Sequence, residues 1–510
     1  MKTSRRNFLR TVAAGSACAS LPSFAWPSSG DELAERLAND PLRPQFHLLP
    51  AKNWMNDPNG PIYWKGRYHM FFQYNPGAAV WGDMHWAHAV SDDMIHWRHL
   101  PVALTPTPGG DDADGCFTGS AVDDHGTATI LYTGVKSVDS KNATLRDGTH
   151  TFREVQCLAT SQDPQLRTWE KFEQPVIQPP DDPSLAGFRD PFLWRQDDSW
   201  LLGVGSGHFK KGGCVLLYRS KDLRSWEYLH ELAAGKWTEK EITNPVDSGE
   251  MWECPDFFPL GKKHVLLYST AGSVVWESGE LDHKELKFHA ERRGVLDHGA
   301  YYAQKTQLDG KGNRILWGWI PEKRPDAELV AAGWAGCMAL PRVLTLDAQG
   351  ALQMNVAPEA RSLREKAFSL PRKNIGRGRA EVLRKITLQG LCGELAWKSS
   401  SAELYFSLED RSGAWWSAKL SSHGMGSGSL TVNGTTVELP AASGLGREFH
   451  LLIDGSVAEL MVDRQHAVTT RIYRQPDGPL RVDVSDDQLA QISSLETWQL
   501  RPISPDRLTT

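Results

Sequence analysis

The sequence predicts an all-β protein in two parts: a β-propeller over residues 40–356 and a β-sandwich over residues 381–505, joined by a linker over residues 357–380. Three observations carry this reading. A Ser-x-Asp segment followed by tryptophan recurs as Ser91-Asp92-Asp93 with Trp97, Ser161-Gln162-Asp163 with Trp169, and Ser220-Lys221-Asp222 with Trp226. Strand–turn–strand units open at Pro61, Gly119, Pro191, Pro255 and Gln304, each an apolar run, a polar turn and a second apolar run. After Pro341 the marker disappears, while alternating strands resume from Glu381. Four or five small antiparallel sheets in tandem, without helical periodicity, are the signature of propeller blades.

In chain order, Ser4-Arg5-Arg6-Asn7-Phe8-Leu9-Arg10, the small-residue stretch Thr11–Leu21 and Ser23-Phe24-Ala25 read as a twin-arginine export signal over residues 1–25. The mature chain is therefore expected in the periplasm or outside the cell. Asp31 to Asn39 forms a short helical lead-in, and the texture is all-β from Gln45. The stretch from Ala357 to Arg379, charged and carrying Pro358 and Pro371, reads as a connection. The sandwich strands are Glu403–Ser407, Ser429–Val432, Glu448–Ile453 and Val457–Val462.

Composition excludes some functions. With 56 Lys+Arg against 62 Asp+Glu, a net charge of −6, the chain lacks the basic balance that phosphate attraction requires, so no nucleic-acid partner is expected. No apolar run reaches membrane-spanning length. The 20 tryptophans suit both an all-β core and sites that stack on sugars. Cys116, Cys157, Cys214, Cys254, Cys337 and Cys392 are scattered without metal-ligand spacing and read as buried small hydrophobes, so neither a metal cluster nor a cofactor is expected.

The chemistry centres on Trp54-Met55-Asn56-Asp57-Pro58-Asn59-Gly60-Pro61. Pro58 holds Asp57 out of helical geometry and Asn59-Gly60 is a turn pair. Asp57-Pro58, Asp190-Pro191 and Glu253-Cys254-Pro255 open three of the repeat units, which puts Asp57, Asp190 and Glu253 at equivalent blade positions facing one axis. Converging acids repel unless they share a ligand or a proton, so the arrangement points to function. Glu253 lies between Met251-Trp252 and Cys254-Pro255, an apolar setting that favours an acid role. Asp57 lies among amides, which favours an ionised nucleophile, and Arg189 beside Asp190 is expected to hold that residue as a permanent anion.

These segments carry a resemblance. Asn56-Asp57-Pro58-Asn59-Gly60, Phe117-Thr118-Gly119-Ser120, Phe188-Arg189-Asp190-Pro191 and Trp252-Glu253-Cys254-Pro255 resemble, in order, four signatures of glycoside hydrolase family 32, the β-fructosidases that include invertases, inulinases and levanases. Gln73-Tyr74-Asn75-Pro76, Trp81-Gly82, Asp297-His298-Gly299-Ala300-Tyr301-Tyr302-Ala303 and Gly333-Trp334-Ala335-Gly336 before Leu340-Pro341-Arg342 match further. The resemblance implies five blades followed by a β-sandwich. It implies a retaining β-fructofuranosidase acting on sucrose or on a fructose-containing oligo- or polysaccharide. Asp57 would be the nucleophile, Glu253 the general acid/base and Asp190 the transition-state stabiliser. Asn56, Gln73, Trp81, Phe117, Ser120, Arg189 and Trp334 would line the fructosyl pocket. Asp454-x-Ser456-x-x-Glu459 is similar to the family's sandwich segment. A fructosyltransferase on the same fold is the alternative, as is a non-catalytic fructan-binding protein, which would lack Asp57 or Glu253.

The remaining candidates have plainer readings. Asp111-Asp112-Ala113-Asp114-Gly115 is expected to be a solvated loop in preference to a calcium site. Trp64, Trp97, Trp169 and Trp226 are expected to pack blades, His85 and His88 to be core histidines, and Cys254 to be a buried neighbour tuning Glu253.

Overall fold

Each Ser-x-Asp…Trp repeat folds into a tight turn between the third and fourth strands of a blade. The Asp93 carboxylate accepts the Ile95 and His96 amides, as Asp222 accepts those of Arg224 and Ser225, and Asp163 those of Gln165 and Arg167. The indole N–H of Trp97, Trp169 and Trp226 donates to the carbonyl of Met94, Leu166 and Leu223, each at 3.0 Å. Those three acceptor residues are buried and left-handed, with φ of +67°, +56° and +61°. Asp282 accepts the Lys284 and Glu285 amides in blade 4 without the serine or the tryptophan.

The computed structural model describes residues 29–369, 383, 386–424, 427–441, 446–489 and 491–504. The expected export signal at 1–25 lies outside them. The lead-in helix is Ser29–Asn39. The innermost strands of five antiparallel sheets are Asn53–Trp64, Gly115–Asp124, Leu185–Gln196, Glu253–Leu260 and Tyr302–Leu308. Each packs against the next, and the fifth returns to the first, closing a five-bladed propeller. The parallel pair Asn53↔Trp334 and Trp54↔Ala335 bolts the last blade's loop onto the first blade. Among the described residues no helix is long and apolar enough to cross a membrane.

All five inner strands carry a register break against their neighbours. Two residues intervene between consecutive register pairs: Asn56-Asp57, Phe117-Thr118, Asp190-Pro191, Cys254-Pro255 and Ala303-Gln304. Such bulges bend a strand and re-aim its side chains. Asp190, Cys254 and Ala303 take φ of +66°, +48° and +53° there, conformations that cost on the order of 1–3 kcal/mol each and gather at functional sites.

The sandwich has two six-stranded sheets whose shared core stacks Trp397 between Phe406 and Phe449, with ring centroids 4.1 and 4.9 Å away. It begins earlier than expected. Residues Arg364–Ser369 form an edge strand paired with Ile492–Leu500, preceded by a 3-10 turn over Pro358–Leu363. The charge that suggested a linker belongs to an amphipathic edge: Arg364 binds Glu394 at 2.7 and 2.6 Å and lies 3.6 Å over the Trp498 ring. Residues 370–380 of the expected linker lie outside the described residues.

A buried ionic network joins the two domains. Asp454 accepts the backbone N–H groups of Gln45, Phe46 and His47, and His47 bridges Asp454 and Glu459 at 2.7 and 2.8 Å. Burial disfavours a charged His47, but the two carboxylates win and raise its pKa to about 9. Arg342, fully buried, reaches Asp297 at 3.0 Å and Glu459 at 2.7 Å. The Asp454-x-Ser456-x-x-Glu459 segment thus serves the domain interface, and none of its residues lines the axial cavity. Arg342→Met should destabilise the protein by about 3–5 kcal/mol, because it leaves two buried carboxylates short of a partner. Urea unfolding followed by tryptophan fluorescence measures this, and an unchanged midpoint would contradict it.

Candidate active site

Where the five bulges meet, the propeller axis opens into a cavity of about 310 Å³. Asp57, Asp190 and Glu253 all line it. They do not occupy equivalent strand positions, as the dipeptide pattern had suggested. By cross-strand register Glu253 is the last paired residue before its bulge, Asp190 the first residue inside its own, and Asp57 the second. Three different steps of the irregularity therefore present the three carboxylates to one cavity.

Asp57 is half-buried, with its open side on the cavity. Thr118 Oγ1 donates to Oδ2 at 2.6 Å, the Cys254 thiol donates to the same oxygen at 3.3 Å, and Asn56 Nδ2 donates to Oδ1 at 3.0 Å. Burial raises its pKa, the Thr118 bond opposes this, and the Glu253 charge raises it further. The three donors fix the carboxylate's direction.

Two expectations about charge are corrected. Arg189 does not pair with its neighbour Asp190, because the left-handed turn at Asp190 sends the adjacent side chains to different partners. Its guanidinium bonds Glu253 Oε1 through Nε (3.1 Å) and Nη2 (2.8 Å), and Glu154 Oε1 through Nη1 (2.7 Å). Asp190 instead accepts the Cys254 backbone N–H at 2.8 Å, and burial pushes its pKa up to about 7 against the pull of Arg189. The setting of Glu253 is polar, not apolar: Tyr302 donates its hydroxyl to Oε2 at 2.9 Å opposite the arginine on Oε1. The flanking apolar side chains face away, with Trp252 stacked on Tyr268 at 3.7 Å. Cys254 likewise touches Asp57 and Asp190 (3.6 Å), and no thiol bond to Glu253 is found among the described residues.

Asn56, Gln73, Trp81, Phe117 and Arg189 line the cavity as the resemblance implied. Gln73 Nε2 donates to Thr118 Oγ1 at 3.2 Å, and so sits behind the Asp57 clamp. Trp81 is 42 % exposed at the mouth, its ring 4.9 Å from that of His150, which makes it a platform and not a core residue. Ser120 and Trp334 are not in the cavity. Ser120 lies beyond its strand's bulge and donates to the Pro191 carbonyl at 2.8 Å, further down the axis. Trp334 is fully buried, its indole donating to Asp40 at 2.8 Å under the Arg324 guanidinium. Trp319 lines the wall instead.

Sequence reasoning missed several site residues. Thr118 and Tyr302 sat inside motifs already singled out. Glu154, which anchors Arg189 and also accepts the Phe188 N–H at 2.7 Å, had no local signal. Neither did Asp147, His150, Asn244 and Val246 on the rim. The acidic segment Asp111–Asp114 is not solvated as a whole. Buried Asp112 accepts from Lys171, Tyr132 and the Thr107 amide. His88 is a core histidine bonded to His69 at 2.9 Å, whereas His85 is only half-buried, with Nδ1 2.6 Å from the Asp83 carbonyl. All six described cysteines are buried and free of disulfides.

The arrangement, a clamped carboxylate, a second held by a tyrosine and an arginine, and a third lining the same cavity, is the equipment for glycosyl transfer to water. The comparisons agree. Residues 47–356 match the family described as Glycosyl hydrolases family 32 N-terminal domain. The chain is 38% identical over 400 residues to a sucrose-6-phosphate hydrolase of Escherichia coli, covering 73% of this chain and 76% of that one. It is 40% identical over 361 residues to a raffinose invertase of Escherichia coli, covering 67% and 70%. Among solved structures, a GH32 β-fructofuranosidase of Bombyx mori superposes with a TM-score of 0.74 at 29% identity, covering 92% of this chain and 98% of that one. A variant of the Bombyx mori enzyme has been solved in complex with sucrose. The chain belongs to glycoside hydrolase family 32.

Proposed function

We propose that this glycoside hydrolase releases terminal β-fructofuranosyl residues from unphosphorylated fructosides, sucrose and fructans included, with retention of configuration. Asp57 attacks the anomeric carbon, Glu253 protonates the departing oxygen and then activates water, and Asp190 holds the sugar and, in its ionised form, stabilises the oxocarbenium-like transition state. Tyr302 and Arg189 orient Glu253, and Trp81 offers a stacking face to the leaving sugar.

The observation that carries the choice of a neutral substrate is the charge of the cavity. Arg189 is the single lysine or arginine lining it among the described residues, and Glu154 and Glu253 already occupy its guanidinium. The rim adds Asp147, with Asp247 beside lining residue Val246. A phosphate on the substrate would meet several carboxylates and no free cation, a like-charge cost that water-excluded sites amplify. The expected twin-arginine export supports the same reading, with the enzyme acting on sugars outside the cytoplasm. Sucrose should therefore be hydrolysed with a kcat/KM at least about 10-fold above that of sucrose 6-phosphate, a preference of about 1.4 kcal/mol. Offering sucrose, sucrose 6-phosphate, inulin and levan and following free fructose tests this. Equal or better use of the phosphorylated sugar would overturn it, and oligofructosides accumulating at high sucrose would favour the transferase alternative.

A further inference from the structure

We propose that blade 3 carries a binding site for one Zn²⁺-class divalent cation, built from His208, Cys214 and Glu231 and oriented by Asp182. No spacing in the sequence announces it, because its donors come from three adjacent strands: Ser199–His208, Gly212–Ser220 and Glu227–Ala234. The antiparallel register Ser206↔Cys214 brings the first two together, and the register shift between Val215 and Leu216 sets Glu231 opposite Leu216, on the face that Cys214 also uses. The imidazole nitrogen, the thiol sulfur and a carboxylate oxygen lie within 4.8 Å of one another. Ligands of a tetrahedral zinc at about 2.0–2.3 Å sit roughly 3.3–3.8 Å apart, so closing on the ion asks each side chain to move by about an ångström.

The details of the cluster go beyond an ordinary ion pair. His208 Nε2 faces Glu231 Oε1 at 3.1 Å, while Nδ1 is held on the other side by Asp182 Oδ2 at 3.3 Å and Ser184 Oγ at 3.0 Å. That is the carboxylate–histidine arrangement that fixes the tautomer and turns Nε2 towards a metal. A buried sulfur under the His208–Glu231 contact adds nothing to an ion pair, but it supplies the soft donor that selects zinc-like ions over calcium or magnesium. Binding breaks the Cys214 S–H bond and the Nε2–H bond through which His208 meets Glu231, releases both protons to solvent and directs a sulfur and a nitrogen lone pair to the metal, with no change of oxidation state. Thiolate and Glu231 together neutralise the dication. Three protein ligands leave the fourth position to water. Glu231 and Asp182, with side chains 39 % and 38 % exposed, keep the site open to solvent. Neither His208, Cys214 nor Glu231 lines the axial cavity, so this site is separate from the hydrolytic one.

The test uses the full chain with Zn²⁺ or Co²⁺ alone. Equilibrium dialysis should find one tight Zn²⁺ per chain, and Co²⁺ should give a thiolate-to-metal charge-transfer band in the near ultraviolet. Cys214→Ser should abolish the band and weaken Zn²⁺ binding by about 100-fold or more, and Asp182→Asn should weaken it by about 10–100-fold. Cys157→Ser should keep both signals. If Cys214→Ser does not fold, Glu231→Gln at the half-exposed ligand should lower affinity by about 10-fold or more. Absence of stoichiometric binding by the wild type, or unchanged Zn²⁺ affinity in Cys214→Ser or Glu231→Gln, would overturn the proposal.

Discussion

Asp57→Ala should release fructose from sucrose about 10³–10⁶-fold more slowly than the wild type while remaining folded, a barrier increase of about 4–8 kcal/mol. The size follows from covalent catalysis: without the carboxylate no glycosyl-enzyme forms, and a single displacement by water must replace two easier steps. Folding should survive because Asp57 is a net burden on the native state. Burial and the charge of Glu253 both disfavour its ionised form, and its loss leaves only the Thr118, Asn56 and Cys254 donors beside the cavity. Turnover by a folded Asp57→Ala protein within about 10-fold of wild type would remove Asp57 from the reaction.

Glu253→Gln should lower sucrose hydrolysis by about 10²–10⁴-fold, the usual worth of a positioned acid, yet spare the first step on a fructoside with a good leaving group. Such a substrate needs no protonation to depart, so a burst of leaving group should appear, followed by a stall, because the glutamine cannot activate water. In this variant the amide oxygen can stay on the Arg189 guanidinium while its NH2 donates to the Tyr302 hydroxyl, and Arg189 keeps Glu154, so the geometry should hold. Stopped-flow measurement of the burst decides the matter. Equal loss on good and poor leaving groups would assign the acid role elsewhere.

The parts of this molecule legible in its sequence are those encoded locally. The Ser-x-Asp…Trp marker is readable because the turn it makes is closed by its own amides and indole within a few residues. The three carboxylates are readable because a proline follows each of them within two residues, although the break it marks lies inside Asn53–Trp64 and Leu185–Gln196 and at the entrance only for Glu253. Their different steps within the break are not, since one residue of bulge is set by the partner strand and leaves no trace in the inner strand's own pattern. The same holds for Arg189. Its nearest charge in sequence is Asp190, but Glu154 and Glu253 are 35 and 64 residues away, and only blade packing brings them to it. Trp334 misled in another way: its short strand closes the ring against Asn53, so the side chain belongs to the seam between blades and not to the pocket. The edge strand at Arg364–Ser369 reads as a linker because the partner of Arg364, Glu394, lies 30 residues away on another strand of the sheet.

The central claim, a double displacement through Asp57, is tested most directly by the configuration of a trapped product. Free fructose mutarotates too quickly to serve, whereas a methyl fructoside keeps the anomeric configuration set at the enzyme. Incubated with sucrose in the presence of methanol and analysed by NMR, the enzyme should yield methyl β-fructofuranoside, because two inversions at one carbon restore the starting configuration. Methyl α-fructofuranoside would show a single inversion, would contradict the account, and would make Asp57 the base that activates the acceptor.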